Sequence, residues 1–294
     1  MDRDLHRLAL GTVQFGLDYG IANKTGQIDI REAREILKEA KREGITTLDT
    51  AIAYGTSEAL LGSVGVEGWQ VITKLPPKPQ YCTDLAAWVR DEVDASLRRM
   101  HTKEINGLLL HKADDLLAEY GDELFDAMSS LKKEGKIESI GISIYNPDEI
   151  EHYLQRFEID LIQAPMNIFD RRLLTTGKLT RLQERRIEVH VRSAFLQGLL
   201  LMKEQDIPPY FHQWQEHIKK FHTWLRDNHL SPLVVCLQFL KQLTPIGKII
   251  VGVDSLFQLR QIIDAFRQDT ILDFPQVLEI DDPGLINPTL WSKE

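Results

Sequence analysis

Two cysteines in 294 residues, Cys82 and Cys236, are too few and too far apart for a disulfide framework, and they form no CxxC pair. That scarcity fits a reducing compartment, with both side chains serving as small, mostly buried apolar residues. No apolar run approaches the ~20 residues that a membrane span needs, and the charged start Met1-Asp2-Arg3-Asp4 does not resemble a signal peptide. A cytoplasmic protein without membrane attachment is therefore expected. Basic residues are also outnumbered, 35 Lys and Arg against 44 Asp and Glu, for a net charge of −9. Such a chain repels phosphate backbones, and its densest basic cluster, Arg181, Arg185 and Arg186, reads as a solvated helix face, so no nucleic-acid partner is expected. The chain further lacks linkers, low-complexity stretches and internal repeats, so one domain is assigned over 1–294, with an acidic, proline-containing tail from about 268.

What the chain does have is 43% hydrophobic and 27% charged residues, a globular balance, and a length that lets folding bury roughly three quarters of the unfolded surface. Short runs rich in Val, Ile and Leu predict eight strands: Leu8–Thr12, Thr46–Ala51, Gln70–Leu75, Ile105–His111, Ser139–Ile144, Asp160–Ala164, Glu188–Ser193 and Lys248–Val253. Helical periodicity falls between them at Ile30–Arg42, Leu85–Met100, Glu123–Lys133, Pro147–Gln155, Lys178–Arg186, Tyr210–Asn228, Pro232–Gln242 and Leu256–Phe266. Alternation of strand and helix implies an α/β fold with parallel strands, and eight units close most naturally into a single-domain (β/α)8 TIM barrel. An open doubly wound sheet would show a GxGxxG turn after its first strand. Here Gly11-Thr12-Val13-Gln14-Phe15-Gly16 spaces its glycines five apart and opens no helix.

Barrel enzymes carry their chemistry at the C-terminal ends of the strands. Asp49 lies near the end of the second strand with Tyr54 five residues on, Lys74 lies at the end of the third, and His111 closes the fourth. Each alone is more often a satisfied rim residue or a packing residue, but four on three successive strand ends are hard to explain as packing. Reduction of a carbonyl builds negative charge on oxygen and needs a proton donor, for which a phenol of pKa near 10 is poor at neutral pH. Lys74 is expected to lower the Tyr54 pKa, Asp49 to keep the lysine charged, and His111 to orient the substrate oxygen.

These residues bring the chain close to a known family. Leu48-Asp49-Thr50-Ala51-Ile52-Ala53-Tyr54-Gly55 followed by Glu58, together with Thr73-Lys74 and Leu110-His111, resembles the tetrad signature of the aldo-keto reductases, from about Leu8 to Phe266. The resemblance implies reduction of a small-molecule carbonyl with NADP or NAD, catalysed by Asp49, Tyr54, Lys74 and His111. Gly141-Ile142-Ser143, Gln163 with Asn167, Ser193 and Gln197-Gly198 resemble the positions that hold the nicotinamide amide and the phosphates. The implied cofactor-contacting set is Gly11, Thr12, Asp49, Ser143, Gln163, Arg192, Ser193, Gln197, Gly198, Gly252, Asp254 and Gln258. Departures occur where the family often has Asn and this chain has Ile144, where many members stack a tyrosine and this chain has Arg192, and where an adenine-side Asn becomes Ile262. Asp254 and Gln258 stand where basic residues usually meet a 2′-phosphate, which predicts weak selectivity for NADPH.

No metal site is expected. His212, His217, His222 and His229 are spaced by five and seven, which scatters them around a helix. Phe211, Trp214, Ile218, Phe221 and Leu225 form a packing stripe, and Pro208-Pro209-Tyr210 is a candidate pocket cover. Arg171, Arg172 and Arg192 near the expected mouth favour an anionic or polyhydroxylated, sugar-derived substrate. Two competing readings stand beside the reductase. One is a Schiff-base lyase or aldolase built on Lys74, opposed by the pairing with Asp49, and the other a cofactor-binding redox-sensing module. Nothing in the sequence specifies an oligomeric state.

Overall fold

In the computed structural model, which describes residues 4–291, eight parallel strands close on themselves: β1 (Leu8–Gly11), β2 (Thr47–Asp49), β3 (Gln70–Leu75), β4 (Ile105–Leu110), β5 (Ile137–Ser143), β6 (Leu161–Pro165), β7 (Glu188–Arg192) and β8 (Lys248–Gly252). Closure is made by β8 returning to β1, with Leu8 opposite Ile249 and Gly11 opposite Gly252. Side chains alternate along each strand. Leu8 and Leu10, Leu108 and Leu110, Ile140 and Ile142, Val189 and Val191, and Ile249 and Val251 share one core with residues from the surrounding helices. The opposite set fills the lumen, where Ile72, Leu109 and Leu161 form a separate small cluster. The fold is the (β/α)8 barrel that the alternation implies.

The surrounding helices are α1 (Ile30–Glu43), α2 (Ser57–Val64), α3 (Leu85–Met100), α4 (Gly121–Lys133), α5 (Ile150–Leu154), α6 (Arg172–Thr175), α7 (Lys178–Glu184), α8 (Gln215–Asp227), α9 (Pro232–Lys241), α10 (Leu256–Arg267) and α11 (Pro283–Ile286). Their ends follow capping chemistry. Asp29 accepts from the Arg31 and Glu32 amides to start α1, Asp84 from Ala87 to start α3, and Ser255 from Gln258 to start α10. Sequence periodicity misses α2, which is only eight residues long and turns Gly62 toward α3, where an added Cβ would lie 2.1 Å from the Arg99 carbonyl oxygen. Pro147–Gln155, expected as one helix, is a 3-10 turn at Pro147–Glu149 leading into the short α5.

The segment after Gln268 is better ordered than the word tail implies. Leu278, Leu285 and Ile286 are buried with Phe211, Ile218, Phe221 and Leu225 of the stripe and with residues following β6 and β7. Arg171, only 6% exposed, donates to the Ile168, Phe274 and Pro275 carbonyls, and Trp214 Nε1 donates to Asp282 Oδ2 at 2.7 Å. The candidate pocket cover also belongs to this assembly, since the Tyr210 hydroxyl is 3.2 Å from the Gly284 carbonyl oxygen. Cys236 is buried, whereas Cys82 is only half-buried, on the loop before α3. Among the described residues no helix is long and apolar enough to cross a membrane, and no group of His, Cys, Asp or Glu is placed to hold a metal ion.

Candidate active site

Asp49 ends β2 and Lys74 is the penultimate residue of β3, and both side chains sit in the lumen at the C-terminal rim, 4% and 1% exposed. Lys74 Nζ donates to Asp49 Oδ1 at 2.7 Å and to the Thr50 carbonyl at 2.8 Å, while Gln163 Nε2 from β6 donates to Asp49 Oδ2 at 2.7 Å. Burial pushes the Lys74 ammonium below its ordinary pKa, and the touching carboxylate opposes that push. An ammonium so engaged is a fixed charge rather than a free amine nucleophile.

Tyr54 is held over this pair by the crossing of two loops. The Ser57 hydroxyl lies 2.8 Å from the Thr12 carbonyl and 3.1 Å from the Thr50 hydroxyl, joining the loop after β1 to the one after β2. Gly16 passes so close that an added Cβ would stand 1.8 Å from the Tyr54 carbonyl oxygen, which only glycine permits. At the start of α2, buried Glu58 accepts from Thr73, Ser96 and Arg99, fixing the helix to β3 and α3. The Tyr54 ring ends 5.2 Å from Lys74 Nζ and edge-on to His111, with centroids 5.8 Å apart.

The electrostatics differ from the sequence expectation. The Tyr54 phenol is pushed above its ordinary pKa, chiefly by burial and then by the Asp49 carboxylate, and Arg192 is the group that pulls it down. Lys74, in contact with Asp49, is not among the groups that lower it. His111 is pushed down to about 4, by burial first and then by the Lys74 and Arg192 charges, so its imidazole is neutral at neutral pH.

All four tetrad residues line one cleft of about 350 Å³ at the rim, along with Gly11, Thr12, Ser143, Gln163, Arg192, Ser193, Gln197, Gly198, Gly252, Asp254 and Gln258. Asn167 does not. It is fully buried and holds a turn, accepting from the Phe169 and Asp170 amides and donating to the Ser193 carbonyl. Arg171 and Arg172 are also away from the mouth, the first holding the C-terminal segment and the second paired with Asp170 and bonded to the Tyr145 carbonyl. Gln14, Tyr19 and Tyr145 line the cleft and escaped the sequence reading. The signal for the first two was loop length, since the connection from Thr12 to Asp29 is longer than most barrel loops and long loops tend to be functional.

Comparison with known proteins identifies this arrangement. The Aldo/keto reductase family matches residues 7–282. The chain belongs to that family. An oxidoreductase of Bacillus subtilis is 27% identical over 90% of this chain and 88% of its own length. An NADH-specific methylglyoxal reductase of Escherichia coli is 31% identical over 68% of this chain and 66% of its own. The holo form of an aldo-keto reductase from Bacillus halodurans superposes with a TM-score of 0.72 at 25% identity, covering 90% of this chain and 88% of that one. This aldo/keto reductase is thus an NAD(P)-dependent oxidoreductase.

The residues present fit a nicotinamide dinucleotide. Gln14 Oε1 is buried on the cleft wall without a hydrogen-bond partner among the described residues, an acceptor suited to the amide or hydroxyl donors of a nucleotide. The Gln14 amide packs directly on Gly252, where an added Cβ would stand 2.6 Å from its nitrogen. Toward α10, charge is acidic. The Leu256 amide donates to Glu32 Oε1 at 2.6 Å, and Asp254 is bonded to Gln258. Two basic residues close in sequence are engaged elsewhere, Lys248 with the His6 carbonyl at the opposite end of β8 and Arg260 with Glu39.

The neutrality of His111 can be tested directly. Imidazole NMR should show His111 titrating near pH 4, well below an unperturbed histidine. Because its folded pKa lies below the unfolded one, the unfolded chain binds the extra proton first. His111 therefore withdraws stability as pH falls from about 6.5 toward 4. A midpoint near 6.5 would contradict this site electrostatics.

Proposed function

We propose that this reductase transfers hydride from NADH, in preference to NADPH, to the carbonyl of a small polar aldehyde or ketone of sugar-like character, with Tyr54 as general acid. The observation that carries the reading is the Asp49–Lys74 pair at 2.7 Å beneath a half-buried tyrosine and a neutral histidine in one cleft. Gly11, Thr12, Asp49, Gln14, Ser143, Gln163, Arg192, Ser193, Gln197, Gly198, Gly252, Asp254 and Gln258 would hold the cofactor, which when bound supplies the hydride. Tyr54 stays protonated across the physiological range and donates its O–H to the carbonyl oxygen. An alkoxide is a stronger base than a phenolate, so proton transfer runs downhill even from a phenol whose pKa is raised. The neutral His111 donates an N–H to the same oxygen, and Arg192, the charge that lowers the Tyr54 pKa, steadies the phenolate left behind.

The preference for NADH rests on charge. A 2′-phosphate near the start of α10 would meet the carboxylates of Glu32 and Asp254, whereas a ribose hydroxyl can donate to a carboxylate. The Escherichia coli relative is named as NADH-specific and for methylglyoxal, a small polar carbonyl compound, in keeping with this reading.

Two outcomes follow. Tyr54→Phe should lower turnover by ~10²–10⁴-fold while leaving the NADH dissociation constant nearly unchanged, as expected for a lost general acid. This is checked by NADH consumption over a carbonyl panel containing methylglyoxal, aldoses and sugar nucleotides, and retention of half the wild-type kcat would remove Tyr54 from that role. In parallel, fluorescence titration should give an NADPH dissociation constant at least about tenfold above that of NADH, equivalent to ~1.4 kcal/mol. NADPH binding tighter than NADH would show a basic 2′-phosphate site.

A further inference from the structure

Arg192 is the charge that the catalytic end of the cleft leaves unbalanced. Its guanidinium is half-buried, stacked at 4.1 Å on the Tyr145 ring, and bonded to the Ile144 carbonyl and the Ser193 hydroxyl. Among the described residues no carboxylate pairs with it, although seventeen residue pairs elsewhere include an Arg or Lys side chain in an ion pair. The other charges lining the cleft do not cancel it. Asp49 is spent on Lys74, and Asp254 is bonded to Gln258 with Asp18 as its charged neighbour. His111 contributes no charge at neutral pH. An arginine cannot escape by losing its proton, so this end of the cleft carries a net charge of about +1.

We propose that Arg192 ranks the redox states of the bound cofactor by charge, holding the reduced nicotinamide in preference to the oxidised one, so that the free enzyme loads the hydride donor and releases the spent cofactor readily. The inference rests on the reductase reading above and deepens it by assigning which form of the cofactor the site retains. The oxidised ring bears a positive charge that the reduced ring lacks, while adenosine, riboses and diphosphate are the same in both. Whatever Arg192 contributes to holding those shared parts therefore cancels in a ratio of affinities, and what remains is repulsion between the guanidinium and the cationic ring. The field of Arg192 reaches the catalytic groups, lowering the pKa values of Lys74, Tyr54 and His111 alike. A tyrosine or glutamine at this position would supply contact area or hydrogen bonds without that repulsion.

The test is a set of dissociation constants for NADH and NAD⁺, measured by calorimetry in one low-salt buffer on the full chain. The unaltered protein should bind NADH about tenfold more tightly, the order expected for one unit-charge repulsion across several ångströms of a half-buried site. Arg192→Gln should shrink that ratio severalfold, chiefly by tightening NAD⁺, and Arg192→Lys, which keeps the charge, should preserve most of it. An unchanged ratio in Arg192→Gln, or an equal change in both variants, would overturn the proposal by making the residue a packing element, while NADH-dependent reduction by the unaltered protein would leave the reductase reading intact. Failure of the unaltered protein to bind either cofactor would overturn both.

Discussion

A lysine and an aspartate taken out of water at the rim of the barrel form the interaction on which the site depends. Each desolvated charge costs several kcal/mol, and the pair recovers this only through close contact and further hydrogen bonds. Both conditions are met. Lys74 Nζ reaches one Asp49 oxygen and a backbone carbonyl, and Gln163 occupies the other Asp49 oxygen. Adjacent strand ends supply the two charges, while the hydroxyls of Thr12, Thr50 and Ser57 tie the flanking loops into the same place. Tyr54 acquires its position over the pair from those loops rather than from a strand.

The two charges of the pair act on different neighbours. Burial and the Asp49 carboxylate keep the phenol protonated, burial and the charges of Lys74 and Arg192 keep His111 uncharged, and Arg192 on β7 is the positive charge that lowers Tyr54. The acidic groups near α10 give the other end of the cleft the opposite sign. A single cleft therefore runs from a positive catalytic end to a negative end, a polarity carried by a handful of side chains and invisible in the net charge of −9.

Much of this was legible in the sequence because it follows from local periodicity. Gln70–Leu75 and Leu85–Met100 appear with the bounds expected, and Asp49, Lys74 and His111 converge because strand ends of a barrel share a rim. What escaped was set by contacts distant in sequence. Helix α2 is too short to show a period, and its place depends on Gly62 meeting Arg99 and on Glu58 meeting Thr73, Ser96 and Arg99. Asn167 and Arg171 look functional by residue type, but each satisfies backbone groups of a turn or of the C-terminal segment. The direction of the Tyr54 shift could not be read from the tetrad because it depends on burial and on the nearness of the Asp49 carboxylate.

The central claim is that Asp49 and Lys74 work as one unit, and a double-mutant cycle tests it most directly. Denaturant unfolding of Asp49→Asn, Lys74→Met and the double variant should show each single change costing about 3–5 kcal/mol, since each leaves a buried charge unpaired. The double variant should cost at least ~2 kcal/mol less than the sum of the singles, without recovering turnover. Additivity within ~0.5 kcal/mol would contradict the account, because it would mean that the two residues hold their places independently.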